Sequence, residues 1–211
     1  MLICKNSLPM HKDYLEIKRA KYEQRVRRGN FKLFNMKNRH YILGGMAIVF
    51  YLAHSITWIY KESPANMLWA CHLACLLIGI AAFVCSATLN AVGVLWLILG
   101  NVLWFIYLST TGDFIFTSFL THIGGLLLGL LMTKKVGFPS FSWLKAFLLF
   151  PVLQLFTYFI TPEKENINLA FRIQDGWGSY FKSYWLYLLF LYFLALVSFV
   201  TSEFLIKKII K

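Results

Sequence analysis

The chain has 211 residues, 59% of them hydrophobic and only 14% charged, with a mean hydropathy of +0.62. A soluble domain of this length cannot hide so much apolar surface in one core, so lipid is the solvent for most of the chain. The net charge of +12 is concentrated, with 11 of the 21 Lys and Arg in the first 39 positions, which fits a cytoplasmic tail beside anionic lipid headgroups rather than a nucleic-acid partner.

The tail, residues 1–40, contains "KDYLEIKRAKYEQRVRRGNFKLF", in which Leu15, Tyr22 and Val26 recur at roughly helical spacing among Lys and Arg. That pattern predicts a basic amphipathic helix on the membrane surface. The apolar segment that follows is a full span and has no small-residue cleavage site, so the tail is expected to stay rather than leave as a signal peptide.

Residues 41–211 read as an all-α, polytopic domain of six transmembrane helices, given the ~20 apolar residues needed to cross about 30 Å of hydrocarbon. The expected spans are 41–60, 67–86, 91–109, 114–132, 141–160 and 184–204. Lys134 and Lys135 follow the fourth span, and Lys207, Lys208 and Lys211 follow the sixth. The positive-inside rule puts those ends on the side of the basic tail, with both termini cytoplasmic. Trp58, Tyr60, Trp177, Tyr180, Tyr184 and Trp185 gather at the opposite ends, as an interfacial aromatic belt does. The four cysteines, Cys4, Cys71, Cys75 and Cys85, have neither disulfide-framework spacing nor a paired CxxC motif. The oligomeric state, a homo-oligomer included, is left open by this pattern.

Polar residues inside the spans are costly and mark function or helix contacts. Measured at 1.5 Å per residue from the outer ends of their spans, His54, His72 and His122 lie at depths of about 9, 8 and 12 Å. Gln154 and Asn101 fall at about 9 and 12 Å on the same ruler. Five helices thus carry polar side chains toward one layer. In the fourth span Thr117, Thr121, Gly125 and Gly129 repeat every four residues, a small-residue seam that lets helices approach closely. His122 flanks that seam, with Ser118 one turn before it. Cys71, Cys75 and Ala82 form a similar stripe beside His72.

Three readings follow. In a membrane-embedded enzyme acting on a lipid or acyl group, His122 is the general base for a nucleophile drawn from Cys71, Ser118 or Thr117. Alternatively His54, His72 and His122 hold a divalent transition metal such as zinc, joined by Asp113 or a cysteine. The third reading is a carrier or channel for a small solute or ion, with histidines that relay protons; a structural membrane subunit is the plain alternative. Asn101 and Gln154 are candidate substrate contacts, though such residues also serve as bonds between helices. Arg172, in the outer loop segment "ENINLAFRIQDGWG", is a candidate clamp for a phosphate or carboxylate if that segment lies as a short interfacial helix across the bundle mouth.

The stretch from Asn66 to Leu131, including "NMLWACHLACLLIGIAAF" and "VLWLILGNVLWFIYLSTTGDFIFTSFLTHIGGLLLGLL", resembles the YwaF-like and androgen-induced-hydrolase-like integral membrane families. The resemblance implies a bundle of about six spans in which Cys71 is the nucleophile and His122 the base for work on acyl esters. "THIGGLLLGLL" also looks like the histidine helix of rhomboid proteases, but the GxSG serine loop those enzymes require occurs nowhere in the chain.

Overall fold

The computed structural model describes residues His40–Ile210. Residues 1–39, with the expected surface helix through Leu15, Tyr22 and Val26, lie outside the described residues, as does Lys211. Every regular element among the described residues is helical. The six principal helices are α1 (His40–Tyr60), α2 (Ala70–Phe83), α3 (Ala87–Thr111), α4 (Phe116–Val136), α5 (Ser142–Ile160) and α6 (Tyr184–Ile210).

All except α2 are long and apolar enough to cross a membrane. The expectation of six full spans is therefore corrected at residues 67–86. Pro64–Leu68 form a separate 3-10 turn, and α2 begins only at Ala70. It ends at Phe83, before Cys85 takes a left-handed backbone. With 14 residues, α2 is about 21 Å long, short of the ~30 Å of hydrocarbon. It compensates by lying inside the bundle, where His72, Ala74, Cys75, Ile78, Gly79, Ala81 and Ala82 are all buried. Two further boundaries move outward. α3 starts at Ala87 because the Ser86 hydroxyl accepts from Leu89 N at 3.2 Å and caps the helix, and α6 continues to Ile210.

Helix α3 is the axis of the bundle, buried on every side from Asn90 to Leu97, as a helix that is apolar all round should be. Glycines set the closest crossings. A Cβ on Gly44 of α1 would overlap Ala82 Cβ, and one on Gly79 of α2 would lie only 3.1 Å from the Gly44 carbonyl. A Cβ on Gly93 of α3 would stand 2.8 Å from the Ala74 carbonyl oxygen. Gly125 and Gly129, from the expected seam of α4, meet Cys75, Leu97, Ile78 and Val94. That seam does face protein, as small-residue packing in lipid requires.

The long connection from α5 to α6 does not form the expected interfacial helix. Its first part makes two 3-10 turns, Glu163–Glu165 and Ile167–Leu169, and residues 166–170 are all buried. Asn166, Asn168 and Leu169 adopt left-handed backbone there, the conformation asparagine tolerates best among residues bearing a Cβ. Asn168 is the keystone. Its Oδ1 accepts from Ala70 N at 2.7 Å, supplying the N-terminal cap that α2 lacks locally, while its Nδ2 donates to the Leu68 carbonyl at 3.0 Å. Asn168→Ala should orphan both buried groups and cost about 2–4 kcal/mol, readable as a lowered melting temperature in detergent. Asn168→Asp, which keeps the acceptor for Ala70, should lose less.

The two ends of the bundle differ in charge. At the end where α4 and α6 finish and α5 starts, Lys134, Lys135, Lys145, Lys207 and Lys208 meet one carboxylate among the described residues, Glu203. At the other end Glu62, Asp113, Glu163, Glu165 and Asp175 slightly outnumber Lys61, Lys164, Arg172 and Lys182. We call these the lysine face and the loop face.

Candidate functional site: three histidines below the loop face

The first ring comes from α1. His54 is buried, one turn from Trp58, whose indole N–H donates to His54 Nε2 at 2.9 Å. A neutral imidazole whose Nε2 accepts must carry its proton on Nδ1. That N–H donates to the Thr117 hydroxyl of α4 at 2.9 Å. The chain of hydrogen bonds continues from Thr117 to Thr57 Oγ1 at 3.1 Å, and from Thr57 to the Ala53 carbonyl at 2.9 Å. Because the carbonyl can only accept, the direction of the whole chain agrees with a proton on His54 Nδ1.

The second ring, His72, is held by α2. Its Nδ1 lies 2.7 Å from the Asn66 carbonyl, which again obliges Nδ1 to donate and leaves Nε2 bare. The Asn66 carbonyl belongs to the Pro64–Leu68 turn, and the outer loop pins that turn through Glu165, which accepts from Asn66 Nδ2 at 2.8 Å and from Ser63 Oγ at 3.2 Å. The roof over His72 is thus set by residues about a hundred positions away.

His122 supplies the third ring from α4, where Leu120–Gly124 form one wide π turn inside an otherwise α-helical span. Such a turn alters which backbone groups are paired and recurs at functional sites. His122 Nδ1 donates to the Ser118 carbonyl at 2.9 Å, with the Ser118 hydroxyl at 3.3 Å. The indole of Trp104 stacks on the ring at 4.8 Å between centroids and 11° between planes. Asn101, one turn earlier on α3, donates from Nδ2 to the His122 carbonyl at 3.2 Å, and its buried Oδ1 has no hydrogen-bond partner among the described residues.

All three rings therefore spend Nδ1–H on oxygen and carry no proton on Nε2; that of His54 accepts from Trp58, and those of His72 and His122 are bare. The Nε2 atoms of His54 and His72 stand 3.0 Å apart, and the rings of His72 and His122 meet edge to face at 5.5 Å. Cys71 joins from α2: one donor atom each from Cys71, His72 and His122 lies within 4.8 Å of the others. The cysteine sits where Gly100 of α3 leaves room for it, a Cβ there falling 2.7 Å from Cys71 Cβ.

The remaining expected site residues lie elsewhere. Gln154 Nε2 donates to the carbonyls of Asn168 and Leu169, both at 3.1 Å, and its Oε1 accepts from Tyr192; it anchors the outer loop. Arg172 donates to the carbonyls of Glu163 and Lys164 at 3.1 and 3.3 Å and lies 3.8 Å from Asp175. Asp113 is exposed in the turn before α4, with Tyr107 OH at 3.5 Å. Sequence reasoning missed Trp104, though its three-residue spacing from Asn101 places both on one face of α3. Asn66 acts through its backbone carbonyl, which leaves no mark in the choice of side chain.

Compared with protein-family models, with curated proteins and with solved structures, the chain has no match.

Proposed function

We propose that this multi-pass protein is a membrane-embedded, metal-dependent enzyme acting on a lipid or acyl ester, with a transition-metal centre on His54, His72 and His122 and Cys71 beside it. The observation that carries this reading is the common polarity of the three rings. The Nε2 atoms of His54 and His72 face each other at 3.0 Å with no proton between them, and a cation there would take both lone pairs, that of His54 in exchange for the Trp58 N–H it now accepts. Metal-binding histidines characteristically commit the other ring nitrogen to a carbonyl, carboxylate or water, which fixes tautomer and ring orientation. Here the Thr117 hydroxyl and the Asn66 and Ser118 carbonyls do this work. Imidazole nitrogen with one thiolate sulfur is a donor set suited to zinc.

When bound, such a metal polarises an acyl carbonyl and makes water a better nucleophile. The chain's own residues supply the setting. Trp104 and Trp58 wall the histidines, and Asn101 offers an acceptor oxygen in the same layer. In hydrolysis water adds to the acyl carbon, the ester C–O bond breaks and the alcohol departs with a proton. By the positive-inside rule the lysine face is cytoplasmic and the site lies in the outer half of the bilayer.

The test is turnover of acyl esters and phospholipids by protein reconstituted in vesicles. A strong chelator should abolish it and added zinc restore it, while His122→Ala is inactive but keeps its helical circular dichroism. A second reading has its own support in the nearness of Cys71 to His122: the thiol attacks the acyl carbon as bare His122 Nε2 takes its proton, the ester C–O bond breaks and that proton leaves with the alcohol, and water then hydrolyses the thioester, as the family resemblance implies. Turnover that resists chelation but is lost in Cys71→Ser and on thiol alkylation selects that reading over the metal.

A further inference from the structure

The lysine face carries a feature independent of the histidine centre. A cavity of about 630 Å³ opens between the linker after α4 and the end of α6, lined by Phe138, Ser140, Phe204, Lys207, Lys208 and Ile210. Its polar side chains, Ser140, Lys207 and Lys208, can all donate and none is acidic. Lys207 donates to Glu203 and, at 3.1 Å, to Ser140 Oγ, which leaves it one N–H, and the Ser140 hydroxyl, which accepts here, keeps its own proton to give. Lys208 is exposed and has no hydrogen-bond partner among the described residues. The nearby carboxylate, Glu203, is spent on Lys207 and on the first turn of α5, accepting from Phe141 N at 3.0 Å and Trp143 N at 2.8 Å.

The geometry points to a binding site for the phosphate headgroup of one anionic phospholipid, held by Lys208, Lys207 and Ser140, with its first acyl carbons against Phe138, Phe204 and Ile210. Three features on the molecule select this occupant. Each convergent group, Lys207, Lys208 and Ser140, has an N–H or O–H left to give and none is a carboxylate, which matches phosphate oxygens. The surrounding face is the strongly positive one, and basic pockets between helices at that end of a membrane protein take anionic headgroups. Phe204, 68% exposed, extends the cavity along the span, where an acyl chain runs and a free anion has nothing to contact.

The experiment is native mass spectrometry of the full chain released from nanodiscs of phosphatidylcholine containing phosphatidylglycerol. Wild type should retain one phosphatidylglycerol in preference to phosphatidylcholine. Lys208→Gln should weaken that retention about fivefold, the attraction expected of one lysine at an anionic surface, and Lys208→Gln with Ser140→Ala more so. Lys145→Gln, which changes an exposed lysine of the same face outside the cavity, should retain lipid as wild type does. Equal retention of the two lipids, or equal loss in the Lys145 and Lys208 variants, overturns the site. Displacement of the lipid by millimolar glycerol phosphate overturns the lipid as its occupant. Chelation should leave retention unchanged, so this result stands or falls apart from the metal.

Discussion

His72→Ala should take the metal content from about one ion per chain to none, because His72 is the ring both others approach: 3.0 Å from His54 by nitrogen and 5.5 Å from His122 by ring centre. Losing a second-sphere partner of a metal typically costs 10- to 100-fold in affinity, and loss of a central ligand should cost more. The same change frees the Asn66 carbonyl, so the Pro64–Leu68 turn loses its inward anchor, and the apo variant should melt below metal-stripped wild type. His72→Gln, which can still donate toward Asn66, should recover part of that stability and none of the metal. Mass spectrometry for metal and a melting curve separate the two roles. Full metal occupancy in His72→Ala would remove the ring from the centre.

Gly93→Val should be the most damaging single change away from the site. Its Cβ would meet the Ala74 carbonyl at 2.8 Å, and the nearest alternative neighbour, Ile78 Cγ1, stands at the same distance. A backbone oxygen cannot swing aside as a side-chain end can, so α2 and α3 must separate along the most extensive contact in the bundle. Overpacking of a core ordinarily costs about 1–3 kcal/mol, and a β-branched residue against backbone should reach or exceed the upper end. The expected result is aggregation in detergent or a melting temperature lowered by at least about 6–12 °C, since ~1 kcal/mol moves a domain of this size by about 2–4 °C. Gly45→Ala is the matching control. A Cβ there meets nothing within 4 Å, and exchange of glycine for alanine in a helix should leave stability equal or raised by about 0.5–1 kcal/mol.

The meeting of the three histidines was legible because helices are rulers. At 1.5 Å per residue, counting inward from the aromatic ends placed His54, His72 and His122 at one depth, and the small-residue seam of α4 turned His122 toward protein. What periodicity could not reveal were contacts made by irregular chain. Gln154 shares the depth of the histidines, yet its amide is taken by the carbonyls of Asn168 and Leu169, groups presented by a buried loop whose left-handed residues have no repeat to read. Arg172 is likewise claimed by the carbonyls of Glu163 and Lys164. The short α2 escaped notice because Met67 and Leu68 are as apolar as the helix they precede. Hydropathy registers composition, whereas the break between the Pro64–Leu68 turn and Ala70 is a matter of backbone bonds to Asn168. Of the orienting oxygens around the rings, Thr117 was visible as a side chain, while the Asn66 and Ser118 carbonyls were not, every residue having one.

X-ray absorption at the metal edge of wild-type protein, purified without chelator, tests the centre most directly. The account predicts about one metal ion per chain with histidine nitrogens at about 2.0–2.1 Å, and a sulfur shell at about 2.3 Å that disappears in Cys71→Ser. Protein without metal that fails to bind added zinc, or a bound metal whose spectrum is unchanged when His54, His72 and His122 are all replaced by alanine, would contradict it.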